Sequence, residues 1–75
     1  MKNSIHMPYS FYDIEKRLKK LWFSAVRQKW SHVLFSDWKK IFPVPNHWWK
    51  DISPWVEKKI IWLLWLTKDE FDNIK

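Results

Sequence analysis

Apolar side chains recur every three to four residues near the start of the chain. Phe11, Ile14, Leu18, Leu21, Trp22 and Ala25 fall on one arc of a helical wheel, with Val26 at its edge. Ser10 is placed to cap this segment, and Asp13 suits its positive end, so the spacing predicts a helix over 11–30. Leu34, Trp38, Ile41 and Phe42 continue a helical period through residues 31–42, with Ser31 or Ser36 as the cap and Pro43 as the stop. PVPN (43–46) reads as an extended connector, and Asn46 can cap a short turn through HWWKDI. Ser53-Pro54 starts a helix that runs to about Leu66. Thr67 and Glu70 form a capping box for a last short helix holding Phe71 and Ile74. Only short stretches alternate with period two, and no Gly or Asn-Gly hairpin turn occurs, so strands are not expected. The pattern therefore predicts an all-α fold, a small compact bundle of three to five helices. Residues 10–75 would form one helical domain behind a flexible N-terminal arm, 1–9.

Composition changes the picture of the core. A chain of 75 residues is close to the size at which a single core is only marginally stable. It has no cysteine, hence no disulfide, and His6, His32 and His47 are too far apart for a local chelating motif. No metal or cofactor is expected. Eight tryptophans, five phenylalanines and two tyrosines are expected to supply a Trp-rich core, each burying far more area than a leucine. So small an interior cannot hide eight indoles, which leaves some as exposed anchors for a partner. Glycine is absent altogether, so the turns fall to Ser, Asn, Thr and Pro.

Charge points to an anionic partner. The net charge is +6, and residues 16–40 hold eight basic side chains against the single acid Asp37, while residues 41–75 are balanced. On the wheel of the first helix, the face opposite the apolar arc reads Lys16, Lys19, Lys20, Phe23, Arg27 and Trp30. Two aromatics thus stand in a basic stripe. Either they pack against another helix with lysine stems around them, or they form a docking strip in which cations meet phosphates while rings stack or fill a pocket.

The run IIWLLWL (60–66) poses a similar choice. Val56, Ile60, Leu63 and Leu64 make an ordinary core seam, and Trp55, Trp62 and Leu66, with Trp65 beside them, make a second apolar face. That second face is either the mark of a central helix or a surface for self-association, a homodimer included, or for a partner. Trp48 and Trp49 are adjacent and would point about 100° apart on a helix, so one of them is a further exposed anchor unless both cover the end of the bundle.

Several classes are disfavoured. Ser, His and Asp occur only at capping or surface positions, no nucleophile-elbow pattern exists, and a phosphate-cradling glycine loop is ruled out without glycine. An enzyme is not expected. The first 15 residues lack the pattern of a signal peptide, and Val56–Leu66 is too short and too charged to span a bilayer, which favours a cytoplasmic location. The cationic, Trp-rich, cysteine-free composition resembles the leaderless bacteriocins, which implies membrane activity, although the eight acids and the marked helix caps depart from that group. Leu34-Phe35 is similar to the tail of the short peptide that docks on bacterial sliding clamps, without the glutamine that opens that peptide. The leading expectation is a non-enzymatic binding protein, a modulator or inhibitor of the phage host-takeover type, acting in the host cytoplasm. It would dock on a protein target such as a nucleic-acid enzyme through Trp anchors and the Lys/Arg strip. Direct nucleic-acid binding through the basic-aromatic strip is the alternative, and membrane activity the second.

Overall fold

The first helix, α1, spans Phe11–Lys20 and starts where the local chemistry requires. The Ser10 hydroxyl accepts from the Asp13 amide at 3.1 Å, and the Asp13 carboxylate accepts from the Ser10 amide at 3.2 Å, a reciprocal capping box. Instead of running on to residue 30, α1 stops at Lys20 and the chain turns through Trp22 into a strand. A computed structural model describes residues 8–47 and 50–74. In it, α1 is followed by β1 (Ser24–Lys29), β2 (His32–Ser36) and β3 (Ile41–Pro45), then α2 (Pro54–Leu63) and α3 (Lys68–Asp72).

The expected all-α bundle is thus overturned by a three-stranded antiparallel sheet in the order β1-β2-β3, with 25% of the described residues in strands and 38% in helices. The physical reason lies in residues 32–45. Val33, Phe35, Phe42 and Val44 are buried, while His32, Ile41 and Pro43 between or beside them are exposed, which is the period of two that a half-covered strand requires. The spacing from Leu34 to Phe42 imitates a helical repeat only because it crosses a turn. Pro43 does not stop a helix. It sits with Pro45 in the edge strand β3, where a missing N–H is tolerated.

Register assigns the two faces of the sheet. Val33 pairs with Val44 and Phe35 with Phe42, and these four form the covered face. Ile14 and Leu18 of α1, Ile60 and Ile61 of α2, and Phe23, Ile52 and Phe71 complete the core. The Phe11 ring lies 6.0 Å from Phe35, and Phe23 lies 5.3 Å from Phe42. The opposite face carries Arg27 beside Leu34 and Lys29 beside His32. Val26 is the extra residue of a bulge between Ala25 and Arg27, and every residue of β1 is exposed. A bulge and two cations on an edge strand oppose pairing with another sheet.

The core is therefore built from Phe, Ile, Leu and Val. The expectation of a Trp-rich core fails, since none of the six described tryptophans belongs to it. Trp22, Ala25 and Val26, which the wheel placed on the buried arc, are exposed, and Phe23 points inward. Of the expected N-terminal arm, residues 1–7 lie outside the described residues, but Tyr9 is anchored. Its carbonyl accepts from the Ile52 amide at 2.8 Å, its ring meets Phe71 edge-on at 5.6 Å, and its hydroxyl donates to Asp72. Burial first, and then that hydrogen bond, pushes the Tyr9 phenol well above its usual range.

The β2–β3 turn depends on Asp37. Its Oδ1 accepts from the Lys40 amide at 2.6 Å and the Lys39 amide at 2.8 Å. Those two donors hold the carboxyl below its ordinary value. A depressed folded value means that the turn gains stability above the unfolded carboxylate value and loses it as the pH falls through the folded one. Asp37→Ala should accordingly lower Tm at neutral pH. The gap between the variant and the parent should close as both are titrated below about pH 4, and a gap that persists in acid would rule out the carboxylate as its source.

Candidate functional site

The cationic side chains expected on one helical strip lie on two elements. Lys16, Lys19 and Lys20 stand on the outer face of α1, where Tyr12, Glu15 and these three lysines line a shallow depression of about 220 Å³. Lys19 leans on Glu15 at 3.7 Å, and Lys16 and Lys20 are exposed. Lys19 and Lys20 fall in the last turn of α1, where the carbonyl end of the helix favours positive charge. Arg17 of the same helix is committed to the interior. Its Nε donates to the Phe71 carbonyl at 3.3 Å, and its guanidinium lies 4.4 Å from the Tyr9 ring centre.

Arg27 and Lys29 belong to β1, on the open face of the sheet. Lys29 is directly opposite His32 in the ladder, and both are exposed. At the β3 edge, His32, Pro43 and Pro45 also line a cavity of about 170 Å³ together with Val56, Lys59 and Leu63 of α2. Nothing in the local sequence singles out His32 as a site residue. Its neighbourhood becomes visible only once the hairpin pairs it with Lys29.

The ladder brings further lysines toward the α1 end of the sheet. Ser24 opens β1 two residues after Trp22, and it pairs with Ser36, which precedes the Asp37–Lys40 turn. Lys39 and Lys40 of that turn therefore lie at the same end as Lys19 and Lys20. Lys39 Nζ is 4.8 Å from the Trp38 ring centre, and Lys40 Nζ is 5.4 Å from that of Trp65. Sequence spacing places Lys39 and Lys40 in the basic half and marks no site at them.

The aromatic members of the expected site do not gather. Phe23 leaves the strip for the core. Trp30 is at the tip of the β1–β2 hairpin, Trp55 is at the start of α2, and Trp62 and Trp65 are at its end. Trp22, Trp30, Trp38, Trp55, Trp62 and Trp65 are each 74% to 87% exposed; Trp55 and Trp62 share α2, while Trp30 lies at the opposite end of the sheet from Trp22 and Trp38. Trp48 and Trp49 lie outside the described residues. Leu66 is half-buried against the core, so the second apolar face of α2 is partly used by its own chain. What remains of that face is an open groove of about 490 Å³ between Pro54, Lys58, Ile61, Trp62, Leu66 and Lys68.

Among the described residues, no group of three His, Asp or Glu is placed to hold a metal ion. No helix among them is long and apolar enough to cross a membrane. Set against known protein families, curated proteins and solved structures, the chain matches none of them.

Proposed function

We propose that the protein binds the phosphate backbone of a nucleic acid through the outer face of α1 and the open face of the β1–β2 hairpin. The observation that carries this is the charge of residues 16–36, which hold six basic side chains and no carboxylate. Of these, Lys16, Lys20, Arg27 and Lys29 are exposed and have no acidic partner among the described residues. Solvated cations unpaired by the protein's own acids are what phosphate contacts require. Docking on a protein through indole anchors has less support, because an energetic hot spot is a cluster at the centre of one patch and these indoles are divided between opposite ends of the sheet.

The test is anisotropy titration of labelled RNA and DNA oligonucleotides at several salt concentrations. Affinity should fall steeply with salt. The triple variant Lys16→Glu, Lys20→Glu, Arg27→Glu should weaken binding at least about tenfold and flatten the log–log salt slope by about 2–3, near one unit per lost phosphate contact. All three residues are exposed, so Tm should hold. Binding indifferent to salt and to the triple reversal would overturn the reading and favour a protein target. Gel analysis of the titrated RNA separates binding from chemistry, because His32 beside Lys29 pairs a proton-transfer group with a cation on the same face. Intact RNA fits a binding protein. RNA shortened by the parent and spared by His32→Ala would make this face catalytic.

A further inference from the structure

The chain contains eight tryptophans and no glycine, although glycine is ordinarily about 7% of a globular protein. Among the described residues three have positive φ, and all three are tryptophan: Trp22 at 72°, Trp30 at 58° and Trp65 at 61°. A left-handed conformation sets Cβ against the backbone, and a bulky aromatic residue there is a true outlier.

Each of the three occupies a position where glycine is the usual residue. At the end of α1, the Trp22 amide donates to the Lys19 carbonyl at 3.1 Å and the Phe23 amide to the Leu18 carbonyl at 3.0 Å. This is the paired closure of a Schellman motif, with Trp22 in the place where glycine is the usual residue. Phe23 and Leu18, the apolar pair that accompanies the motif, are both buried. The end of α2 repeats it, with the Trp65 amide donating to Trp62 at 3.0 Å and the Leu66 amide to Ile61 at 3.3 Å. Trp30-Ser31 is the two-residue loop between the paired Lys29 and His32, and positive φ at the first loop residue alone is the glycine position of a tight hairpin turn.

Burial gives an independent indication. Tryptophan is highly buried on average in folded chains, yet all six described here are at least 74% exposed, and the core closes without them. Their side chains do nothing that the fold needs, and at Trp22, Trp30 and Trp65 the backbone does what glycine does.

We infer that the tryptophan positions of this chain are glycine positions, and that the cell producing it inserts glycine there. A codon read as tryptophan under one genetic code and as glycine under another leaves this signature: one residue type in excess, the other missing, and the first found in the conformations of the second. The inference is independent of the nucleic-acid reading, whose cations it leaves in place. It removes the indole anchors altogether.

Peptide mass spectrometry of the protein from its native source decides the matter. The tryptic peptide 30–39 holds Trp30 and Trp38, and it should appear at the mass of the peptide with glycine at both positions. The peptide at its two-tryptophan mass would overturn the inference. In recombinant protein, Trp22→Gly, Trp30→Gly and Trp65→Gly should each raise Tm by roughly 4–8 °C over the corresponding Trp→Ala variant, because alanine keeps the Cβ that glycine lacks. Alanine variants as stable as the glycine ones would show that these positions do not call for glycine, and would count against the inference.

Discussion

Phe35→Ala should remove most of the protein's stability. Phe35 is fully buried on β2, the central strand, facing Ala25 across one ladder and Phe42 across the other, with the Phe11 ring 6.0 Å away. Truncating such a ring costs about 3–5 kcal/mol, the transfer loss plus the cavity left behind. A domain of this length has about 4–11 kcal/mol in all. The variant should therefore show a sharply lowered urea midpoint with the parent's m-value, or fail to fold cooperatively. Leu34→Ala, one residue earlier on the opposite face and only half-buried, is the internal comparison and should cost much less. If the two variants unfold at the same midpoint, the assignment of the covered face to Val33 and Phe35 is wrong.

The contrast between Leu34 and Phe35 also marks where sequence reasoning runs out. Helix starts were legible because they are local. Ser10 with Asp13, Ser53 before Pro54, and Thr67 with Glu70 each make, within four residues, the capping bonds that their spacing implies. Ile14 and Leu18 were legible as a buried stripe for the same reason. The sheet was not, because a hairpin is recognised from its turn: the first turn carries Trp30-Ser31 with positive φ at Trp30 in place of glycine, and the Asp37–Lys40 turn has no positive-φ position to mark it. With the first turn hidden, the periodicity carries the helix of residues 11–20 on through β1 and sets Phe23, Arg27 and Trp30 on a strip that the fold does not form. If position 30 holds glycine, Lys-Gly-Ser-His is an ordinary hairpin turn between two short strands. Half of the candidate site survives the correction, since Lys16, Lys19 and Lys20 share a helical face in either fold. The other half, Arg27 and Lys29 with His32, depends on ladder register, which no local spacing encodes.

Burial of Glu57 was equally invisible, since its environment comes from an element eleven residues away, and it supports a second large effect. Glu57 stands on α2 at 4% exposure, the one buried charged side chain among the described residues. Lys68, the first residue of α3, places Nζ 3.4 Å from Glu57 Oε2 and 2.8 Å from Asp72 Oδ2. Lys68→Met keeps the aliphatic stem over the groove but removes the charge, leaving a carboxylate in a site poorly reached by water. Breaking a buried pair from one side is far costlier than replacing both partners, because the remaining ion keeps its desolvation penalty. Lys68 is itself partly exposed, so the expected loss is about 1–3 kcal/mol, below that of a fully enclosed pair. Glu57→Leu in the Lys68→Met background should restore most of it, since two apolar side chains then meet where two charges did. A double-mutant cycle read by chemical denaturation measures the coupling. A cycle in which the two losses simply add would mean that Glu57 is stabilised by groups other than Lys68, and that α3 is held to α2 by Phe71 and its apolar neighbours alone.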